Sequence, residues 1–367
     1  MSAITRRAAL GSAGFLLASV VLPSYLSARE REELALKAAG YRFPRVEGLF
    51  NKSVPVERCQ VDFVKSAISD INSNLLSGPQ TYDFTEIGLN PYLLAYLNDG
   101  FRDYTLLPIF PLRVFRHKSA FVHVDSGIVN PAQLKGKKVA TPGYSSTSLT
   151  WIRGIFQDEY GLRPEEVDWV IAKKDSALEM SGKTPSKQEN VIPEGISLRE
   201  GPAGLDESEL LLSGEVDAVF HAAAPQSFVN GDPKVRRLFS DSKKVEQEYY
   251  RRTSIFPIMH AVAIRTSLLE AQPWLAEAVF SAYATARDEA YAYMSESGWV
   301  SDMQPWYAQD LGAAQQFMGR NWYSYGLEGN ENAINTLFRY AHEQGLCSRQ
   351  ASIDEVFHPL GRGLKDG

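Results

Sequence analysis

The chain has 367 residues, of which 44% are hydrophobic and 22% charged, and its net charge is -6. This is ordinary globular composition, and the length accommodates two domains of typical size. Binding to a nucleic-acid backbone needs clustered positive charge. Because the sequence contains no sustained Lys/Arg run, we do not expect nucleic acid as a partner.

The first residues are typical of an export signal. Arg6 and Arg7 precede an apolar stretch at 8–22, and a short polar region ends at Ala28, before the charged run at 29–33. Paired arginines ahead of a moderately apolar run favour a twin-arginine signal. The apolar run is shorter than the roughly 20 residues that cross a bilayer. Residues 1–28 are therefore predicted to be a signal peptide, with a periplasmic mature protein and no stable membrane insertion after processing.

The pattern from residue 35 onward predicts alternating strands and helices. An opening strand-like segment is followed by a helix around 63–76, a strand at 83–87 that ends at Gly88, and a helix from Asn90 and Pro91 onward. Two apolar, β-rich runs at 106–114 and 119–124 are separated by a basic turn at 116–118. This arrangement predicts two strands with a crossing between them.

A second lobe is predicted to begin after residue 125. A short helical turn and a buried strand are expected at 131–141, a surface loop or an irregular insertion at 172–200, and a helix at 207–212 that leads into a strand at 216–220. Repeated strand–helix units indicate mostly parallel sheets. The strand at 255–265 is expected to return to the first lobe, followed by helices around 273–293 and 333–344. We therefore assign 29–125 and 251–367 to lobe 1 and 126–250 to lobe 2.

Hydroxyl side chains are concentrated where one helix is predicted to start. Tyr144, Ser146, Thr147 and Ser148 directly precede the apolar-periodic run that begins at Leu149. Free backbone N–H groups and the helix dipole favour an anion at such a terminus. Simple capping of the helix by serine or threonine is the alternative. We expect these four residues to bind a ligand carboxylate.

Several ordered segments resemble the 4,5-dihydroxyphthalate decarboxylase family, whose members are similar in fold to type II periplasmic solute-binding proteins. The segments are FPLRVFRH at 110–117, WIRGIFQDEYG at 151–161, YYRRTSIFPIMH at 249–260, NWYSYGLEGN at 321–330 and YAHEQGL at 340–346. The resemblance covers nearly the whole chain after the signal peptide. It implies an α/β, two-lobed, type II periplasmic-binding-protein-like fold with a ligand cleft between the lobes.

Two functions follow from this resemblance. The first is an aromatic-acid decarboxylase that releases CO2 from a hydroxylated aromatic carboxylate without a metal. The second, favoured by the export signal, is a periplasmic solute-binding protein that delivers a small aromatic carboxylate to an ABC-type membrane permease. One fold hosts both binding proteins and enzymes, so the two functions stay open at this point.

Five charged or titratable residues are the candidates for the chemistry. His117 and His260 each end a matching segment, and imidazole exchanges protons near neutral pH. Arg116 and Arg153 are expected to hold carboxylates by bidentate contact. Glu86, at a predicted strand end, is expected to accept a hydroxyl proton. For any single histidine the alternative is a structural role, with the ring bonded to a backbone carbonyl.

No cofactor or metal is expected. The six histidines are scattered, no His-Glu-x-x-His pattern occurs, and the only two cysteines, Cys59 and Cys347, lie far apart in the sequence. Whether these cysteines pair is left open by their spacing.

Overall fold

The computed structural model describes residues 33–297 and 304–366. The predicted signal peptide at 1–28 lies outside the described residues. Within the described part, the chain forms two β-sheets with helices packed on them. This mixed α/β architecture with two sheets agrees with the predicted two-lobed fold class.

The first sheet has the strand order β2-β1-β3-β11-β4. Strands β1, β2 and β3 are parallel, whereas β11 runs antiparallel to both β3 and β4. Its strands are β1 (Leu34–Gly40), β2 (Cys59–Lys65), β3 (Phe84–Gly88), β4 (Tyr104–Arg113) and β11 (Ile258–Arg265). The chain thus leaves this sheet after β4 and returns to it with β11, as expected for the segment at 255–265.

The second sheet has the order β10-β5-β9-β6-β7-β8. Strands β9, β6, β7 and β8 are parallel, and β5 is antiparallel to both of its neighbours. Its strands are β5 (Ala120–His123), β6 (Lys138–Thr141), β7 (Asp168–Ile171), β8 (Leu198–Glu200), β9 (Ala218–Phe220) and β10 (Val235–Arg237). Because β5 belongs to this sheet, the first crossing lies at 114–119, upstream of the predicted boundary at 125; the division into lobes otherwise stays a prediction.

The helices surround both sheets. They are α1 (Glu47–Phe50), α2 (Ile68–Leu76), α3 (Leu89–Asn98), α4 (Thr147–Tyr160), α5 (Leu178–Ser181), α6 (Glu207–Leu212), α7 (Gln226–Val229), α8 (Ser242–Thr253), α9 (Thr266–Ala271), α10 (Leu275–Ser297), α11 (Tyr307–Met318), α12 (Glu331–Glu343) and α13 (Ile353–Val356). Helix α10 packs against α1 and β4, and α4 packs against α3 and α12. None of the helices in the described ranges is long and apolar enough to cross a membrane.

Two local predictions were wrong. Phe63 lies in β2 and not in a helix, because burial alternates over 59–63 with the period of two of a strand, and the helix begins only at Ile68. The segment at 172–200 is not simply a surface loop. It contains α5 and β8, and Ser186, Gln188 and Glu189 within it are buried.

Both cysteines carry free thiols. Cys347 is buried and Cys59 is partly exposed, and burial raises the pKa of each thiol to about 11. Each therefore stays protonated and unreactive at neutral pH.

Candidate active site

A cleft of about 720 Å³ lies between the two sheets, a volume typical of small-molecule sites. Its lining comes from both sides of the crossing. The walls include Tyr41, Phe43, Pro91, Leu112 and Val114 from the first-sheet side and Pro142, Lys173, Asp175, Leu178 and Ala222 from the second-sheet side. Of the predicted site residues, Arg116, Ser146, Thr147, Ser148 and His260 line this cleft.

Arg116 lies in the crossing segment between β4 and β5, where the chain passes from one sheet to the other. Its side chain is 3% exposed. Nη1 donates to the Ala222 carbonyl at 2.6 Å, Nη2 to Ser148 Oγ at 2.5 Å, and Nε contacts the Met259 sulfur at 3.2 Å. No carboxylate is bonded to it among the described residues, and burial lowers the pKa of Arg116 to about 9. A buried cation without an anion is costly, so this site favours a negatively charged ligand.

The first turn of α4 lies beside Arg116. Ser146 is the N-cap residue and accepts from Leu149 N–H at 3.4 Å, and Thr147 Oγ1 accepts from Asn90 N–H at 3.0 Å. In the part of the chain that the structure describes, the amides of Thr147 and Ser148 make no hydrogen bond. The helix start thus presents free N–H donors and hydroxyls to the same region as the guanidinium. Capping and anion binding, the two predicted roles of this segment, are compatible here.

His260 and Glu86 form a hydrogen-bonded pair at one wall of the cleft. They lie on adjacent antiparallel strands, where His260 pairs with Gly88 and Val262 with Glu86. Residues two apart on a strand share a face, so the two side chains are diagonal neighbours. His260 Nδ1 lies 2.6 Å from Glu86 Oε1. With Nδ1 engaged in this hydrogen bond, Nε2 is the nitrogen left to exchange protons with a ligand.

Tyr41, which the sequence interpretation missed, completes this pair. Its backbone N–H donates to Glu86 Oε2 at 2.9 Å, and its ring stacks on His260 with the centroids 5.8 Å apart and the planes at 16°. Its hydroxyl donates to the Met180 carbonyl at 2.5 Å, on the other side of the cleft. Tyr41 therefore connects the first-sheet wall to α5. The signals for it in the sequence were an aromatic residue directly after the first strand and a weaker resemblance of the stretch GYRFPRVEGL at 40–49 to the family.

Four predicted residues lie differently from expectation. Glu86 is 2% exposed on a strand buried along its whole length, so it contacts His260 and not the cleft. His117 is fully buried between the rings of Phe239 and Tyr249, at centroid distances of 5.7 and 5.1 Å, and neither ring nitrogen has a hydrogen-bond partner among the described residues. Burial lowers the pKa of His117 to about 4. His117 is therefore a neutral core residue that does not line the cleft, which corrects its predicted role in proton transfer to a ligand.

Arg153 and Tyr144 are the other two. Arg153 lies over the Tyr144 ring at 3.8 Å and donates from Nε to Gln344 Oε1 at 2.9 Å. Both side chains are buried and neither lines the cleft. Six residues along α4 from Thr147, at about 1.5 Å per residue, carry Arg153 away from the helix start and against α12. Arg153 is therefore not positioned to hold a ligand carboxylate in this cleft.

A second group of polar side chains was also missed. Asp175, Glu207 and His221 place ligand-type atoms within 4.8 Å of one another. However, His221 Nδ1 accepts from Ala223 N–H at 3.0 Å, so the ring proton is on Nε2, which faces both carboxylates. A metal ligand needs a free lone pair at that nitrogen and a donor at the other. The group therefore fits a hydrogen-bonded cluster better than a metal centre.

Comparison with known proteins was made at the levels of sequence and fold. The chain is 34% identical over 281 residues to a 4,5-dihydroxyphthalate decarboxylase of Comamonas testosteroni, covering 76% of this chain and 82% of the relative. It is 34% identical over 173 residues to a 4,5-dihydroxyphthalate decarboxylase of Pseudomonas putida, covering 47% of this chain and 65% of the relative. No protein-family model matches the chain.

Among solved structures, the chain is similar to the periplasmic aliphatic sulphonate binding protein SsuA of Escherichia coli. The TM-score is 0.52 at 14% identity, and the match covers 88% of this chain and 97% of that protein. A likeness at this identity concerns the fold, and it matches the two-lobed periplasmic-binding-protein-like fold that the sequence predicts.

Proposed function

The chain belongs to the 4,5-dihydroxyphthalate decarboxylase family, and from this membership we propose that it releases CO2 from a hydroxylated aromatic carboxylate bound in the cleft. The observation that carries the proposal is the His260–Glu86 pair, which lies in the same cleft as the buried, anion-free Arg116. A cation and a proton-exchanging imidazole are the two groups that a decarboxylation needs from its site.

Arg116 and the α4 start would hold the carboxylate. The guanidinium and the free amides of Thr147 and Ser148 all favour negative charge. The aromatic ring of the ligand would lie against the apolar part of the cleft, which Phe43, Leu112 and Val114 provide. Binding would thus fix the ring relative to His260, so that proton transfer takes place within one complex.

The proposed reaction replaces the carboxylate on the ring with hydrogen. A ring hydroxyl supplies electron density, and the His260 imidazolium donates its Nε2 proton to the carbon that bears the carboxylate. The bond between that carbon and the carboxylate then breaks, CO2 leaves, and the bonding electrons restore the aromatic ring. Glu86 stabilises the imidazolium from the Nδ1 side, as a carboxylate does for a catalytic histidine in other enzymes.

The test is CO2 release from 4,5-dihydroxyphthalate by the purified protein, starting near Arg29. We expect turnover that falls at least about 100-fold in His260→Gln, because a positioned proton donor contributes about 10² to 10⁴ in rate. His117→Leu is the matched control. It removes the other histidine that ends a matching segment, which does not line the cleft, and should keep turnover within about threefold. Absence of turnover in the wild type, or full activity in His260→Gln, would refute the proposal.

An exported receptor is the second candidate function. It is favoured by the arginine pair and apolar stretch at 6–22, and by a fold that binding proteins also use. In that case the protein would bind an aromatic carboxylate in the periplasm and deliver it to a membrane permease. Binding of 4,5-dihydroxyphthalate without CO2 release supports this function. Recovery of the protein from the periplasmic fraction, with an N-terminus near residue 29, tests the proposed twin-arginine export.

A further inference from the structure

A second carboxylate–imidazole pair lies on the opposite side of the cleft from His260. Asp175 follows β7 and His221 follows β9, and both strands belong to the parallel part of the second sheet. The carboxyl ends of parallel strands meet at one edge, where ligands bind in open α/β sheets. His221 Nε2 lies 3.0 Å from Asp175 Oδ1 and 3.3 Å from Glu207 Oε1.

The hydrogen bonds around His221 determine which groups are donors. Ala223 N–H donates to Nδ1, so the neutral ring carries its proton on Nε2 and donates toward Asp175. Asp175 Oδ1 also accepts from Ala177 N–H at 2.7 Å. Burial acts to raise the pKa of Asp175, but the hydrogen bonds from His221, Ser181 and the Ala177 N–H outweigh it, and the pKa is lowered. Asp175 is therefore ionised at neutral pH and acts only as an acceptor.

Asp175 is the member of the cluster that reaches the ligand space. It lines the cleft and its side chain is 15% exposed, whereas Glu207 and His221 are fully buried. A carboxylate has about four acceptor positions, so Asp175 can accept a further hydrogen bond in addition to those it accepts from the protein. The hydrogen bond from His221 fixes its orientation from behind.

This acceptor and the predicted carboxylate anchor are held by consecutive residues. His221 holds Asp175 through its side chain, and the next residue, Ala222, holds Arg116 through its carbonyl. Consecutive Cα atoms are about 3.8 Å apart, so the two groups are attached to one short turn of the chain, and both line the same cleft. A ligand whose carboxylate is on Arg116 would therefore have its ring in the cleft that Asp175 also lines.

We propose that Asp175 accepts a hydrogen bond from a ring hydroxyl of the bound ligand and so selects hydroxylated over plain aromatic carboxylates. This inference rests on the proposed ligand class. A hydroxyl supplies the proton that an ionised acceptor needs, whereas a second carboxylate at this position would be repelled. A ring without the hydroxyl leaves Asp175 desolvated against carbon, and this penalty gives the selectivity.

The experiment compares 4,5-dihydroxyphthalate with phthalate, which lacks both hydroxyls, by isothermal titration calorimetry. The His260→Gln background prevents consumption of the hydroxylated ligand, and phthalate titrated into the wild type checks that this background keeps the site. With Asp175 present, we expect the hydroxylated ligand to bind at least about tenfold tighter, the range of a hydrogen bond to a charged group. In Asp175→Ala the preference should fall below about twofold while phthalate affinity is kept or improved. Asp175→Asn, which preserves shape and one acceptor, should lie between.

Glu207→Gln is the matched control, because Glu207 contacts the same histidine and does not line the cleft. It should keep the tenfold preference. Three results would each overturn the proposal. The two ligands bind with equal affinity while Asp175 is still present, the preference survives in Asp175→Ala, or Glu207→Gln loses the preference as fully as Asp175→Ala does. The outcome is separate from turnover: an Asp175-dependent preference without CO2 release supports this inference and refutes the decarboxylase, and turnover without the preference does the reverse.

Discussion

Replacing Arg116 with methionine should separate the stability of the free protein from its affinity for ligand. Methionine is unbranched and apolar, so the variant fills much of the same space without the charge. The guanidinium is 3% exposed and has no bonded carboxylate among the described residues. Its removal should therefore take away the cost of a buried charge in the free protein and weaken the binding of the ligand.

The size of each effect follows from the surroundings of the side chain. Burial lowers the pKa of Arg116 from 12.5 to about 9, a fall in proton affinity of about 3000-fold, which corresponds to roughly 5 kcal/mol for keeping the charge at neutral pH. The variant leaves the Ala222 carbonyl and the Ser148 hydroxyl without this donor, at about 1–2 kcal/mol each. The free variant should thus be more stable than the wild type by about 1–3 kcal/mol.

Ligand binding should change in the opposite direction. Removing one partner of a buried charged hydrogen bond costs about 2–5 kcal/mol, which is about 30-fold to several thousandfold in Kd. The assays are thermal melting of the free protein and calorimetric titration with phthalate, which is not consumed. Arg153→Met is the matched control, because Arg153 is equally buried and its pKa is also lowered by burial, but it does not line the cleft.

The control should keep its affinity for phthalate within about threefold. The reasoning is refuted if Arg116→Met binds phthalate as tightly as the wild type does, or if Arg153→Met loses as much affinity as Arg116→Met. A large drop in the melting temperature of Arg116→Met would show that the buried guanidinium stabilises the free protein, contrary to the magnitudes above.

Three further changes test other parts of the structure. Burial lowers the pKa of His117 from 6.5 to about 4, so the unfolded chain takes up this proton first as the pH falls, and the wild type should lose about 3 kcal/mol of unfolding free energy between those two pH values. His117→Leu should not show this loss when the two proteins are unfolded with urea at pH 7 and pH 4. Equal losses in both proteins would contradict the assignment. Glu86→Gln should lower kcat at least about 100-fold with KM nearly constant, because the His260 imidazolium loses its charged partner; an unchanged kcat in steady-state kinetics would argue against this role. Tyr41→Phe should raise KM about two- to tenfold with little change in kcat, because it removes the hydrogen bond to the Met180 carbonyl but keeps the ring that stacks on His260; a fall in kcat alone would assign the hydroxyl to the chemistry.

Local sequence patterns were sufficient for much of the fold. Gly88 and Pro91 indicated where β3 gives way to α3, and the apolar run at 255–265 predicted the strand that returns to the first sheet as β11. These signals are local, since turn residues and hydrophobic periodicity act over a few positions. The prediction of a helix around Phe63 was wrong because β2 is short and lies just before a helix, so its apolar residues resemble the first turn of that helix.

The sequence predicted residues of the candidate site only where their position depends on a local feature of the chain. Ser146, Thr147 and Ser148 lie at the start of α4, so their position followed from the predicted helix boundary, and His260 ended a segment that matched the family. The sequence could not separate His260 from His117, since both are lone histidines after apolar runs. Only the tertiary structure placed one ring beside a carboxylate in a cleft and the other between two aromatic rings.

Pairings across long distances in sequence depended on the tertiary structure. His260 meets Glu86 across 174 positions, Arg116 meets the Ala222 carbonyl across 106, and His221 meets Asp175 across 46. A sequence specifies the residue types available for such contacts. The order of the strands within each sheet decides which chain segments become neighbours, and for His260 and Glu86 the register decides too, because a shift of one residue along β11 would turn His260 to the opposite face.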